Sequence, residues 1–209
     1  MASGRRGIPL ALALACVFSG AAAAERPVTE TIVLIRHGEK PALGLGQLNC
    51  QGLNRALALP VVIGREFGRP DAIFAPDPAR SADHDHPDDY VRPLATIEPT
   101  AIAFGRAVDA SIAVTDLETL RRRLGSPTYR SALVVVAWEH GEIVKLARLL
   151  LAADQGIDPD RVPDWQESDF DSMYVVKLTW AGENAAVTFE QRREGLDGQS
   201  IACPGQAPG

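Results

Sequence analysis

Several mostly apolar runs along the chain have the length and composition of buried β-strands. Residues 31–35 and 71–75 are short runs of this kind, and residues 132–138 (ALVVVAW) are apolar at every position. β-Branched and aromatic residues favour strands, and an unbroken apolar strand is typical of the centre of a sheet covered on both faces. A further strand is predicted over residues 172–180, and residues 186–191 return after a turn as an antiparallel hairpin.

Segments with helical spacing lie between these strands. Asn49 is a candidate N-cap for a helix that runs to about residue 67, and Pro60 inside it is predicted to kink or end it. Three further helices are predicted over residues 92–104, 117–124 and 143–151. The alternation predicts an α/β protein, a three-layer α/β/α sandwich whose central sheet is mostly parallel and ends in an antiparallel edge hairpin.

The N-terminus has the layout of a secretory signal peptide over residues 1–24. Arg5 and Arg6 form a positive start, residues 8–17 are mostly apolar, and small residues at 21–24 precede the expected cleavage site. The apolar run is too short for a comfortable membrane span, so no integral membrane segment is expected. Cys16 leaves a lipoprotein signal as a less favoured alternative, and the arginine pair leaves twin-arginine export as another. We therefore expect an exported protein, periplasmic or secreted.

The rest of the chain, residues 25–209, has the composition of one globular domain. Hydrophobic residues make up 46% and charged residues 23% of the sequence, and the formal net charge is -6. Because nucleic-acid-binding proteins are usually basic, this charge argues against a nucleic-acid partner. An anionic substrate would have to be attracted locally, by arginines in a cleft. We expect a monomer or weak dimer.

Two cysteines, Cys50 and Cys203, remain after removal of the signal peptide. Because the compartments reached by export are oxidising, we predict that they form a disulfide. Two separate buried thiols are the alternative.

Two of the predicted strands end in polar corners that contain histidine. The first strand runs into Arg36-His37-Gly38-Glu39, and the strand over residues 132–138 runs into Glu139-His140-Gly141-Glu142. In open α/β sheets ligands bind at the carboxyl ends of the strands. Gly38 has no Cβ, so the chain can turn sharply there and a ligand can approach the backbone.

These two corners resemble the motifs of the histidine phosphatase (phosphoglycerate mutase-like) superfamily. Leu48, Gly52 and Arg55-Ala56 resemble a spaced pattern of the same superfamily, and the sequence RPLATIEP, which begins at Arg92, resembles the start of the helix that carries its second phosphate-binding arginine. The resemblance extends over almost all of the mature chain.

The resemblance implies a metal-independent phosphatase that acts on a small phosphorylated substrate and needs no cofactor. His37 would be the covalent nucleophile, while Arg36, Arg92 and His140 would bind the phosphoryl group. Guanidinium groups match phosphate geometry, and the attacking imidazole must be neutral. Arg92 lies at a predicted helix N-terminus, a natural anion site, and is therefore preferred to Arg80, its rival for this role.

The general acid remains open in the sequence. The candidates are Asp83, Asp85, Asp88, Asp89 and Glu142. Without an acid the enzyme would be restricted to good leaving groups such as phosphohistidine. As a weaker alternative, the segment His84-Asp85-His86 of the same loop, with Asp83 or Asp88 as a further ligand, could hold a transition metal.

Two other functions remain open beside a phosphatase. A non-catalytic phosphate-binding module on the same fold would need the arginines but neither His37 nor an acid. A mutase would need a phosphorylated cofactor, which is not expected outside the cytoplasm. The substrate itself is not evident from the sequence.

Overall fold

The computed structural model describes residues 26–80, 88–152, 158–182 and 184–205. Within these residues six strands form one sheet: β1 Val28–Arg36, β2 Ala72–Pro76, β3 Val108–Ile112, β4 Leu133–Trp138, β5 Ser172–Ala181 and β6 Asn184–Arg193. The helices are α1 Cys50–Glu66, α2 Arg92–Phe104, α3 Leu117–Leu124 and α4 His140–Leu151, and the 3-10 turns are Pro127–Tyr129 and Pro159–Arg161.

The sheet has the order β3-β2-β4-β1-β5-β6. Strand β4 pairs in parallel with β1 and β2, and β2 pairs in parallel with β3. Strand β5 runs antiparallel to β1, and β6 runs antiparallel to β5. The mostly parallel sheet with an antiparallel edge hairpin is therefore confirmed, and the apolar strand β4 lies in its middle.

Alternate residues of β1 enter two different cores, one on each face of the sheet. Ile32 and Leu34 pack in a cluster with residues of α3 and α4, while Val33 and Ile35 pack in a cluster with residues of α1 and α2. This period of two is what a strand requires when helices cover both faces. The three-layer architecture is thus confirmed.

The sequence analysis expected a kink or an end of the helix at Pro60, and the structure shows that the helix does not end there. It also did not find β3. Helix α1 continues through Pro60 and ends near Gly68, whose φ of 93° is left-handed and whose amide donates to Ile63 O and Gly64 O. A proline inside a helix costs about 3 kcal/mol, and the burial of the inner face of α1 against the sheet offsets it. Strand β3 is a short edge strand in which most positions are only partly buried, so it has no apolar pattern.

The predicted disulfide is present in the structure. It joins Cys50, the first residue of α1, to Cys203, with 4.6 Å between the two Cα atoms. Asn54 Nδ2 also donates to the carbonyls of Ser200 and Ala202, at 2.8 Å each. The C-terminal segment is therefore attached to the first turns of α1. The predicted signal peptide, residues 1–24, lies outside the described residues. Within those residues, none of the helices combines the length and apolar character that crossing a bilayer requires.

Candidate active site

A cleft of about 400 Å³ opens at the carboxyl ends of β1 and β4. The two strands are parallel neighbours in which Arg36 pairs with Trp138, so the two histidine corners meet at one edge of the sheet. Arg36, His37, Arg92 and His140 all line the cleft. The other lining residues are Lys40, Gly44, Gly46, Asp88, Tyr90, Val114, Thr115, Glu139 and Glu142.

His37 lines the cleft and is only 2% exposed. Its Nδ1 lies 2.7 Å from the carbonyl oxygen of Gly38. Because a carbonyl only accepts, Nδ1 carries the proton and donates it, which leaves the lone pair on Nε2. Burial, with smaller effects from the Arg92 and Arg36 guanidiniums, lowers the pKa of His37 to about 3. The ring is therefore neutral at physiological pH, with Nε2 unprotonated.

Arg36 is buried and clamped by a loop far away in the sequence. One nitrogen, Nη1, donates to the carbonyls of Glu167 at 2.6 Å and Asp169 at 3.0 Å. The guanidinium also stacks on Phe170, 4.0 Å from the ring centroid. Its buried Nε has no hydrogen-bond partner in the described part of the chain. The clamp thus fixes the arginine through one nitrogen and leaves another donor unused.

Arg92 is held from the opposite side of the cleft, at the first turn of α2. Its Nη1 donates to Gly44 O at 2.7 Å, and the guanidinium lies over Tyr90, 4.6 Å from the ring centroid. Among the described residues its buried Nε also has no partner. Thr96, one turn on, accepts from the Gly38 amide at 2.9 Å and donates to Arg92 O at 2.8 Å. This hydroxyl connects α2 to the loop that carries His37.

Arg80, the rival candidate, lies away from the cleft lining. Its side chain is 58% exposed, and it donates to Asp77 Oδ2 at 2.6 Å and to Ser111 O. The placement of the two arginines agrees with the preference for Arg92, whose role in binding phosphate stays a prediction.

His140 begins α4 and contacts the residue before it. Its Nδ1 lies against Glu139 Oε1, but among the described residues this buried nitrogen has no partner in hydrogen-bond geometry. Glu139 is also the N-cap of α4, since its side chain accepts from the Glu142 amide at 2.9 Å. Burial raises the pKa of Glu139, but the interaction with His140 and the hydrogen bonds from the amides of Glu142 and Gly141 outweigh it and lower that pKa to about 2. Glu139 is therefore an ionised carboxylate inside the cleft, and no sequence motif pointed to it.

The structure narrows the candidates for the general acid without selecting one. Asp88 and Glu142 line the cleft, whereas Asp89 is exposed and is not among the lining residues. Glu142 accepts from Lys145 Nζ at 2.7 Å. The candidates Asp83 and Asp85, and the proposed metal-binding pair His84 and His86, lie outside the described residues. Within residues that the structure does describe, no group of three or more histidine, cysteine or acidic side chains could hold a metal ion.

The loop behind His37 packs directly on α1. A Cβ added to Gly52 would lie 2.4 Å from Glu39 O and 2.7 Å from Glu39 N, and one added to Gly38 would lie 3.0 Å from the backbone of Gly52. Real Cβ atoms essentially never approach other atoms within 3.0 Å. Glycine at both positions therefore allows the backbone of the corner that contains His37 to touch the helix.

Arg55 fixes the same loop through charge. It is 1% exposed and contacts Glu39 Oε1 at 2.9 Å and Glu194 Oε2 at 2.8 Å. Asp171 and Asp197 complete the cluster, each 3.4 Å from an Arg55 nitrogen. The sequence pattern marked Arg55 but gave no indication of its partners, which lie as far as 142 residues away.

Comparison with known proteins identifies the fold. No protein-family model matches the sequence, and neither does any curated protein sequence. One similar solved structure is a protein described as the phosphohistidine phosphatase SixA of Nakamurella multipartitia, at 14% identity and a TM-score of 0.52, covering 78% of this chain and 95% of the other. Another is a mycobacterial glucosyl-3-phosphoglycerate phosphatase in complex with inorganic phosphate, at 15% identity and a TM-score of 0.52, covering 77% and 95%. The chain thus has the histidine phosphatase fold that its two corners predicted.

Proposed function

We propose that this protein is a metal-independent phosphatase that hydrolyses a phosphomonoester or a phosphohistidine through a covalent phosphohistidine on His37. The observation that carries the proposal is the state of His37: a buried, neutral imidazole with an unprotonated Nε2, in a residue that lines a cleft together with Arg36, Arg92 and His140. A covalent nucleophile must present a lone pair, and a transferred phosphoryl group must have its charge neutralised. The cleft offers both within one cavity.

In the first step Nε2 of His37 attacks the phosphorus atom, and the bond from phosphorus to the leaving group breaks. The unused Nε donors of Arg36 and Arg92 are suited to the equatorial oxygens, because guanidinium hydrogen bonds to phosphate are charge-assisted. In the second step water attacks the phosphohistidine, inorganic phosphate leaves, and the lone pair returns to Nε2. Each step conserves the proton on Nδ1, which Gly38 O holds in place.

A leaving alkoxide also needs a proton, and a well-placed acid accelerates such a step by about 100- to 10,000-fold. Asp88 and Glu142 are the described candidates because both line the cleft, and Asp83 and Asp85 stay candidates from the sequence. If Asp88 or Glu142 is the acid, its amide variant will lose activity toward alkyl phosphates while keeping activity toward p-nitrophenyl phosphate, whose leaving group needs no proton.

The test is to trap the intermediate. Phosphohistidine survives alkali, so purified protein is mixed with ³²P-labelled substrates of several classes, including p-nitrophenyl phosphate and phosphohistidine peptides, and is quenched in base. We expect a labelled wild-type protein, and we expect His37→Ala to lose both the label and phosphate release while it keeps its fold by circular dichroism. Near wild-type turnover in His37→Ala would contradict the nucleophile.

The same experiment distinguishes the phosphatase from the alternative function, a non-catalytic phosphate-binding module. A non-catalytic binding module would bind inorganic phosphate, measured by calorimetry, and would neither acquire the label nor release phosphate from any substrate. The similarity to a phosphatase whose structure holds inorganic phosphate supports an anion-binding cleft in either case.

We further propose that the protein is exported as a single domain, residues 25–209, after removal of residues 1–24. The Cys50–Cys203 disulfide supports export, because disulfides persist in oxidising compartments. Mass spectrometry of the mature protein should find Glu25 as the first residue. An N-terminus that retains residues 1–24 would contradict cleavage, and a lipid-modified Cys16 would favour the lipoprotein alternative.

A further inference from the structure

Two exposed leucines lie beside the cleft, in the loop that follows β1. Leu43 is 77% exposed and Leu45 is 44% exposed. They alternate along the chain with Gly44 and Gly46, and both glycines line the cleft. Single leucines are normal on a protein surface and need no explanation. Two within three residues, beside a cleft, can contact whatever enters it, and we call residues 41–46 the leucine loop.

Hydrogen bonds from Arg92 fix the backbone of the leucine loop. Nη1 of Arg92 donates to Gly44 O at 2.7 Å, and its backbone amide donates to Gly46 O at 3.0 Å. Gly46 has a left-handed φ of 59°, and a Cβ added there would lie 2.1 Å from Asp89 O. The loop is therefore packed against the segment that precedes α2, and it is bonded to the arginine that we propose as a phosphoryl ligand.

The leaving group of a bound substrate would extend toward this loop. In phosphoryl transfer the attacking and leaving atoms are roughly in line, on opposite sides of the phosphorus atom. The proposed nucleophile, His37, is 2% exposed, so the leaving group extends away from the protein interior. The two leucines flank Gly44, whose carbonyl contacts Arg92. Because consecutive Cα atoms are about 3.8 Å apart, a leaving group of several carbon atoms can reach both side chains.

Two other partners fit the leucines less well than a substrate does. A single myristoyl chain gives only marginal membrane binding, and two leucine side chains have fewer carbon atoms than one such chain. The formal net charge of -6 also disfavours an anionic bilayer. A stable protein interface buries about 800 Å² on each partner, more than two leucines supply. An apolar substrate chain needs only these side chains, together with Val114 and the Tyr90 ring, which line the cleft.

We propose that the substrate is an amphiphile, a phosphomonoester of an alcohol with an apolar alkyl chain, and that Leu43 and Leu45 bind this chain while Arg36 and Arg92 bind the phosphoryl group. Hydrolysis breaks the bond between phosphorus and the alcohol oxygen, consumes one water molecule, and releases the alcohol and inorganic phosphate. The inference rests on the proposed phosphatase function for this reaction, but recognition of the chain can be measured by binding alone.

The first experiment measures binding without catalysis. Ethylphosphonate and octylphosphonate, whose carbon–phosphorus bonds are not hydrolysed, are titrated into the wild-type protein by calorimetry below the concentration at which micelles form. A fully buried methylene strengthens binding by about four-fold, and a chain on an open loop is only partly buried. We therefore expect octylphosphonate to bind about 10- to 100-fold more tightly than ethylphosphonate. Equal affinities would overturn the proposal, whether or not the protein turns over any substrate.

The second experiment assigns the preference to the two leucines. Leu43→Gln combined with Leu45→Gln keeps similar side-chain lengths and should bring the ratio of the two affinities close to one. The matched control combines Leu57→Gln with Val61→Gln, at positions of α1 that are 51% and 70% exposed and do not line the cleft. The control should keep the wild-type ratio, and an equal fall in both variants would contradict the proposal.

Inorganic phosphate detects an indirect effect of the same substitutions. It has no chain, so its affinity reports on the arginines rather than on the leucines. If the double variant at Leu43 and Leu45 loses as much affinity for inorganic phosphate as for octylphosphonate, the leucines act by shaping the loop that holds Arg92, and the proposal is wrong. We expect the loss to be confined to octylphosphonate.

Kinetics and vesicles distinguish the remaining outcomes. In the wild-type protein kcat/KM should be higher for octyl phosphate than for ethyl phosphate, and hydrolysis of p-nitrophenyl phosphate without this preference would contradict the substrate class. If no substrate is hydrolysed, the proposed function fails, and the phosphonate affinities still decide whether the leucines bind a chain. Phosphatidylcholine vesicles, which contain no phosphomonoester, should not sediment the protein. Sedimentation that requires Leu43 and Leu45, together with equal phosphonate affinities, would identify a membrane contact instead and overturn the proposal.

Discussion

The contact between Gly52 and the corner that contains His37 gives a prediction whose magnitude can be worked out. In Gly52→Ala the new Cβ would lie 2.4 Å from Glu39 O, about 1 Å closer than an ordinary contact that begins at 3.4 Å. Both partners are backbone atoms, so no side-chain rotation relieves the overlap, and either α1 or the loop after β1 must move by about that amount. His37 lies two residues before Glu39, so the displacement reaches the proposed nucleophile.

Two opposing free energies set the expected loss of stability. Overpacking a tight contact typically costs about 1–3 kcal/mol, and alanine in a helix is better than glycine by about 1 kcal/mol. Because the contact here is with backbone, we expect a net destabilisation of about 2 kcal/mol and a fall in Tm of about 4–8 °C. A displacement near 1 Å at the reacting group should lower kcat/KM by about 100-fold.

The matched control lies in the same helix. In Gly64→Ala the Cβ would meet only the Phe104 ring, at 3.1 Å, and that side chain can shift. Calorimetry and steady-state kinetics on both variants test the reasoning. We expect Gly64→Ala to keep or slightly raise Tm with unchanged kinetics. If Gly52→Ala equals Gly64→Ala in both measurements, the close approach of α1 does not position the loop that contains His37.

Three further predictions follow from single groups. Arg92→Ala should weaken phosphate or vanadate binding by about 10- to 100-fold, because it removes charge-assisted hydrogen bonds. Arg80→Ala should have little effect in the same titration, and equal losses of affinity in the two variants would contradict the preference for Arg92. Replacing Cys50 and Cys203 by alanine should lower the free energy of unfolding in urea by at most about 5 kcal/mol, since the disulfide closes a separation of 153 residues; no loss would mean that it constrains little. Burial raises the pKa of Glu30 to about 8, so its favourable contribution is complete below its unfolded pKa of 4.5 and is lost as pH rises through 8. Glu30→Gln should therefore resemble the wild-type protein in urea at pH 5 and be more stable at pH 9 by up to about 5 kcal/mol, whereas equal stability at pH 9 would refute the raised pKa.

Local patterns were sufficient for the sheet and for the two corners. Strands β1 and β4 contain contiguous apolar runs, and a histidine follows the end of each strand within two residues. One short stretch of sequence therefore indicates both the strand and the candidate site residue. The order of elements then places parallel strands with their carboxyl ends at one edge. This is why Arg36, His37, Arg92 and His140 could be named before the structure placed them around one cleft.

Features that depend on distant contacts could not be predicted. The loop that clamps Arg36 has no motif, because it uses backbone carbonyls of Glu167 and Asp169 that any residue could provide. Strand β3 is half-exposed and therefore lacks an apolar signal. Glu139 caps α4 and contacts His140, and only the folded corner creates both contacts.

The Arg55 cluster connects the C-terminal segment to the corner that contains His37. A buried ion pair is often no more stabilising than apolar residues of the same size, so stability alone is a weak reason for its presence. The geometry of the cluster gives a better reason. The Arg55 guanidinium binds both Glu39, two residues after His37, and Glu194, directly after β6. Charge-assisted bonds are directional, so they fix the orientation of the loop where a hydrophobic contact would only fix its distance. The disulfide, nine residues beyond Glu194, attaches the following segment to the first turn of that same helix. Apolar packing therefore builds the two faces of the sheet, while a glycine contact, a buried arginine and a disulfide determine where the corner that carries His37 lies on α1.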